Sequence, residues 1–139
     1  MRKKIGKNIH IVSNKIDRKM DMLMGQFDCT HSQFAVMFYI LENNDRDVFQ
    51  RDIEEEFDIR RSSVSAALSN LEEKGYIMRS SVSQDARLKK ITVTPKGERL
   101  INESRKVINE FEIELTAALT DEEISVFFRV LDKLSRVAD

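Results

Sequence analysis

Arg60 and Arg61 stand directly ahead of a run of small polar residues, Ser62, Ser63, Ser65, Ala66, Ser69 and Asn70, and Arg79, Asp85, Arg87 and Lys89 follow close behind. Guanidinium and ammonium groups neutralise phosphates, while hydroxyls and carboxamides bond to phosphate oxygens and base edges. Over residues 60–96 eight basic side chains face three acidic ones, whereas residues 45–58 carry two basic against seven acidic. The whole chain has a net charge of only −1, so its charge is segregated rather than in surplus. A local basic face steers a polyanion, with an attraction that falls steeply with salt. The chemistry implied is binding of double-stranded DNA; the acidic run reads as a solvated helix face.

Other chemistries find less support. The serines have no histidine near them in sequence and no nucleophile motif around them, and Glu54 to Glu56 reads as helix surface, so an enzyme is not expected. Cys29 and His31 form a Cys-x-His pair with His10 far away, short of the ligands a zinc site needs, so neither metal nor cofactor is expected. Cys29 precedes an expected helix N-terminus, where the dipole favours a thiolate, and a redox role for this thiol is an alternative reading. One cysteine excludes an internal disulfide, and four glycines and one proline leave no Gly-rich phosphate loop or Pro-rich linker. The basic start is followed by no apolar run long enough for a signal peptide or membrane span, so a cytoplasmic protein without a membrane partner is expected.

The basic residues need elements to hold them. Val64, Leu68 and Leu71 make one apolar stripe of a short helix whose opposite face is the small polar one, fit to lie deep in a major groove. Gly75 suits the left-handed residue that closes a helix. Tyr76 to Ser80 and Leu88 to Thr94 alternate as strands, with Ile91 and Val93 on one face, and pair across a polar loop from Ser81 to Arg87. Upstream, Phe49, Ile53 and Phe57 define a short helix that stops near Asp58, so two short helices meet through a tight connection, the sequence form of a helix-turn-helix. Before that, Thr30 and Gln33 fit a capping box, and Phe34, Met37, Phe38 and Leu41 form the buried stripe of the helix it opens.

Long amphipathic segments flank this unit. Ile5, Ile9, Val12, Ile16, Met20 and Leu23 stripe the first helix. After Thr94 and Pro95, which suit the cap and first turn of a new helix, Ile101, Ile108 and Leu115 repeat every seven residues with Phe111 and Ala118 between; Ser104 is the polar exception. Thr120 and Glu123 fit a second capping box ahead of Ile124, Phe127, Phe128, Leu131, Leu134 and Val137. So much apolar surface on slim helices predicts a homodimer, with Ile5, Ile9, Val12, Ile108, Phe111, Leu115, Phe127, Leu131 and Leu134 at its interface. The fold class expected is mainly α with a small β-wing: a winged helix-turn-helix flanked by long N- and C-terminal dimerisation helices. Residues 1–139 form one protomer, with 30–96 as the DNA-binding unit and 1–24 and 95–139 as dimerisation helices. Met20, Met24, Phe27, Phe34, Met37 and Phe38 form a soft, bulky run near the junction of these parts, the lining expected of a pocket for a small lipophilic or aromatic effector.

Over essentially its whole length the chain resembles the MarR family of winged-helix transcriptional regulators. Residues 51–80 look like its helix-turn-helix, whose recognition helix ends in a Leu-x-x-Lys-Gly pattern, here Leu71, Lys74 and Gly75. Residues 83–97 are similar to its wing signature, here Asp85, Arg87, Val93, Thr94 and Gly97. The chain departs from the family pattern at Phe49, where a Ser or Thr cap is common, at Glu54, where a small alanine is usual, and at Val93, where leucine is. The resemblance implies a homodimer on a pseudo-palindromic operator, acting as a repressor that a small molecule or an oxidant releases. It also implies that Arg87 enters a minor groove with Asp85 holding its guanidinium. Redox-sensing members place their cysteine near the start of the first helix, which Cys29 follows. The rival from another class is a winged-helix module that binds proteins and not DNA.

Overall fold

The computed structural model describes residues 3–82 and 85–139, and these form α1 (Ile5–Met24), α2 (His31–Glu42), α3 (Gln50–Phe57), α4 (Arg61–Glu73), β1 (Ile77–Val82), β2 (Asp85–Val93), α5 (Pro95–Ala117) and α6 (Asp121–Ala138). This is the winged helix-turn-helix with long terminal helices that the apolar periodicities predict.

Most boundaries have a local cause. The Gln33 amide N–H donates to Thr30 Oγ1 at 3.2 Å and the Thr30 N–H to Gln33 Oε1 at 3.1 Å, the reciprocal cap that starts α2. Thr120 and Glu123 repeat it at α6. Thr94 accepts the Gly97 N–H and Pro95 fills the first position of α5. Phe49 offers α3 no side-chain cap; instead Asp52, in the first turn, accepts the Phe49 N–H at 2.8 Å. The chain leaves α3 through Asp58 in the left-handed region, φ 50°, which lets α4 begin after only Ile59 and Arg60. Gly75, φ 79°, ends α4 with its own N–H on the Glu72 carbonyl and the Tyr76 N–H on that of Leu71.

β1 and β2 pair antiparallel with Ile77 opposite Val93 and Arg79 opposite Ile91. Pairing runs further out than the sequence suggests, to Val82 opposite Asp85 past an irregularity at Ser81, so the expected loop from Ser81 to Arg87 is mostly strand. Ser83 and Gln84 of that loop lie outside the described residues. Val48 adds a bridge to Ile91, its carbonyl accepting the Ile91 N–H at 2.7 Å, and so anchors the wing to the chain ahead of α3.

One core holds α2, α3, α4, the wing base and the first turns of α5. Val64, Leu68 and Leu71 are fully buried, as are Ile53, Met37 and Ile101. Ser104 is buried too, its hydroxyl donating to the Leu100 carbonyl at 2.7 Å. A Cβ at Gly97 would collide with the Tyr76 carbonyl oxygen, so only glycine lets α5 leave this close to the wing. The terminal helices lie largely outside this core: α1 buries only Met24 and α6 buries nothing. Ile5, Ile9, Val12, Phe127, Leu131 and Leu134 meet across an apolar trough of about 510 Å³, whereas Ile108, Phe111 and Leu115 on α5 are half-buried.

Candidate nucleic-acid interface

The apolar stripe of α4 faces the core, and that orientation alone presents Arg60, Arg61, Ser62, Ser63, Ala66, Ser69 and Asn70 to solvent. Ser65 is half-buried because Gln50 lies over it. The wing stands beside this helix, and a cleft of about 440 Å³ between α3, α4 and the wing has Arg51, Arg61, Arg79, Arg87 and Lys89 on its walls against one carboxylate, Glu54. A strand turn and a helix with these charges on one side form the electropositive surface that DNA requires.

The basic residues are not equivalent. Arg87 projects from the wing with 96% of its side chain exposed; Asp85 accepts its backbone N–H at 2.9 Å but approaches the guanidinium only to 3.7 Å. Asp85 therefore shapes the wing turn more than it holds the Arg87 head. Lys89 donates to Ser81 Oγ at 2.8 Å across the hairpin. Arg79 is engaged by Glu72, with a longer contact of 3.5 Å to Ser69 Oγ. Lys74 reaches Asp28, whose other oxygen accepts the Tyr76 hydroxyl at 3.0 Å. These two bonds, that from Tyr76 first, hold the Asp28 carboxyl below the usual aspartate range.

Two glutamines that charge and periodicity did not single out as site residues brace the exposed face of α4. Gln50 donates to Ser65 Oγ at 2.8 Å, and Gln33, having used its oxygen in the α2 cap, donates to Asn70 Oδ1 at 2.8 Å. No local signal marks Gln50, whose partner Ser65 lies fifteen residues on.

The other candidates separate. Cys29 is 8% exposed and burial pushes its thiol up to about 11, with Lys74 pulling the other way, so the helix start that follows does not make it a thiolate. Burial thus opposes the thiolate that a redox role for Cys29 would use. His31 lies between two carboxylates of α1, with Nδ1 at 2.6 Å from Asp21 and Nε2 at 3.3 Å from Asp17. Among the described residues no group of three or more His, Cys, Asp or Glu is arranged to hold a metal ion. Nor is any described helix long and apolar enough to cross a membrane.

Of the expected effector residues Met20, Phe34 and Phe38 line one cavity, about 330 Å³ between α1, α2, α3 and α5. Met37, 0% exposed, lies in the core, and so does Met24 at 1%, its side chain also reaching the floor of a separate depression; unbranched thioethers suit such irregular gaps. Phe27 packs against the core and borders a separate depression beside Cys29. Tyr39, Phe57 and Arg105 take their places in the cavity, the Arg105 guanidinium 5.3 Å from the centre of the Phe38 ring. Phe57, on the wall of this cavity, is 36% exposed.

The sequence pattern of the MarR family matches residues 27–88, from the turn after α1 through the helix-turn-helix into the wing. Among solved structures, MepR of S. aureus in a complex with DNA superposes with a TM-score of 0.93 at 27% identity, over 99% of this chain and 100% of that one. The transcription regulator MarR of Oenococcus oeni PSU-1 gives a TM-score of 0.81 at 26% identity, over 96% of this chain and 99% of that one. A variant of E. coli MarR complexed with operator DNA shares the fold, with a TM-score of 0.82 at 23% identity over 94% of this chain and 92% of that one. The chain thus carries the MarR family's pattern across its helix-turn-helix and is similar to the solved MepR and MarR structures along nearly its whole length.

Proposed function

We propose that the protein represses transcription as a homodimer on a pseudo-palindromic operator and is released when a small lipophilic or aromatic effector binds. The observation that carries the reading is the common orientation of the exposed polar face of α4 and the free Arg87 of the wing beside one basic cleft. A helix and a hairpin so placed suit a major groove and the neighbouring minor groove. The DNA complexes of MepR and of E. coli MarR support the same partner. Two-fold symmetry would set the half-sites about 34 to 36 Å apart, one helical turn.

The trough of α1 and α6 supports self-association, because Ile5, Val12 and Phe127 are each about half exposed or more in a single chain. The cavity around Phe34, Phe38 and Tyr39 supports the effector: it opens between the dimerisation helices and the reading lobe, where an occupant alters their spacing. Cytoplasmic residence follows from a chromosomal partner.

Fluorescence anisotropy with duplexes from the region upstream of the protein's own gene tests the reading. Affinity should fall linearly on a log-log plot against salt, and Arg87→Ala should make that slope shallower by about one, the share of a single phosphate-neutralising cation. Its loss should be greatest on A·T-rich flanks, whose narrow minor groove attracts arginine. No affinity for any duplex at low salt would overturn the proposal in favour of a protein-binding module.

A further inference from the structure

Gln50 opens α3, and its carboxamide lies 2.8 Å from Ser65 Oγ and 3.3 Å from the Arg61 carbonyl oxygen. A carbonyl oxygen only accepts, so the end of the amide that faces this pair is its NH2 group, and Ser65 Oγ is the acceptor of the second bond. That leaves the Ser65 proton unspent. A helical serine commonly returns its proton to the carbonyl four residues back, as Ser104 does to Leu100. For Ser65 that carbonyl belongs to Arg61 and is occupied by Gln50, and among the described residues Ser65 makes no bond as a donor.

The geometry points to Gln50 as a specificity-determining residue: by filling the acceptor side of Ser65 it turns that hydroxyl into a donor toward the open face of α4, and so selects a hydrogen-bond acceptor on a base edge. The inference rests on the DNA-binding reading above. In the major groove the acceptors are purine N7, guanine O6 and thymine O4, while the amino groups of adenine and cytosine offer only donors and would meet donor with donor. Ser65 is the fifth residue of α4, in the half of a recognition helix that approaches base edges. Phosphates are the natural partners of the exposed cations around it, Arg60 and Arg61 at the start of α4 and Arg87 on the wing. Gln50 touches no base in this scheme; it is a positioning residue that acts through Ser65.

The test begins with duplexes selected from a random pool by the wild-type protein. Anisotropy then gives the affinity of wild type, Ser65→Ala, Gln50→Leu and Gln50→Glu for the selected duplex and for each of its single base-pair variants, including 7-deazapurine replacements. At one position in each half-site wild type should demand an acceptor, and its removal should cost roughly three- to tenfold, the worth of one neutral hydrogen bond. Ser65→Ala and Gln50→Leu should flatten the preference at that same position and keep it elsewhere. Gln50→Glu, whose carboxylate takes the Ser65 proton, should shift the preference there toward a donor-bearing base. Mere loosening of α3 would instead weaken binding to every duplex by one factor. Uniform loss, or altered preferences at different positions for the Gln50 and Ser65 variants, overturns the inference. Should Gln50→Leu fail to fold, Gln50→Glu and Ser65→Ala carry the comparison. A wild-type protein that selects no duplex at low salt overturns the DNA-binding reading itself, a result distinct from wild-type binding with unchanged profiles in the variants.

Discussion

The Arg79 guanidinium grips the Glu72 carboxylate through two hydrogen bonds, Nη2 to Oε1 at 3.0 Å and Nε to Oε2 at 3.3 Å, and so ties the first wing strand to the last turn of α4. The pair links the helix to the hairpin and partly neutralises one cation of the basic cleft.

Releasing that cation should strengthen DNA binding. Glu72→Gln is expected to raise affinity and steepen the salt slope by about one phosphate contact, while Arg79→Ala, which leaves Glu72 unneutralised beside the DNA, should lower affinity. Salt titrations of both variants decide this; an unchanged slope in Glu72→Gln would mean that Arg79 does not reach a phosphate even when freed. The hydrogen bond from Arg79 holds the Glu72 carboxyl below its ordinary value of 4.5. A depressed acid stabilises the fold above its unfolded pKa, so the brace is complete at neutral pH and is lost only as pH falls through the lower folded value.

Cys29 should be inert in the native protein. Its thiol is raised from 9.0 to about 11, chiefly by burial, so the thiolate fraction at neutral pH lies below that of a free cysteine. Iodoacetamide at pH 8 should leave the folded protein unlabelled while a small thiol is consumed, and should label it fully in urea. Cys29→Ser should bind DNA like wild type with or without peroxide. Because the folded value is the higher one, this group's contribution is complete below pH 9 and declines as pH climbs toward 11.

Gly97→Ala should destabilise the fold without touching the DNA-facing surface. The added methyl must displace the Tyr76 carbonyl, backbone that also accepts the Thr94 N–H at 3.0 Å. A cost of about 1 to 3 kcal/mol is expected, as for an overpacked core. Urea unfolding measures it, and a midpoint equal to wild type would show that α5 shifts away freely.

Charge placed in the trough of α1 and α6 should separate the protomers. Phe127→Glu or Leu131→Glu is expected to give monomeric or unfolded protein by light scattering, since both side chains belong to α6, which has no buried residue in the single chain. Reduced DNA affinity should follow, because one half-site then binds without the other. A wild-type protein that is monomeric at micromolar concentration would remove the basis for a symmetric operator.

Several features of this protein were determined by the sequence alone because their causes act over a few residues. The caps at Thr30, Thr94 and Thr120 close hydrogen bonds three residues apart, and Gly75 permits the left-handed residue that ends α4 at no steric cost. The stripe of Val64, Leu68 and Leu71 sets which face of α4 is free, and the charge split between residues 45–58 and 60–96 sets its sign. Tertiary structure decided which of those polar groups remain available, because that depends on partners the fold brings from afar. Arg79 looked as free as Arg87 until β1 laid it on Glu72, seven residues back. Met24 and Met37 share a composition with Met20, yet packing put the first two in the core and the third on a cavity wall. Gln50 and Gln33 joined the exposed face of α4 only when folding placed them on Ser65 and Asn70, fifteen and thirty-seven residues away. Periodicity and capping are properties of a segment, whereas the direction of a hydroxyl proton is set by whichever acceptor and donor the folded chain delivers beside it.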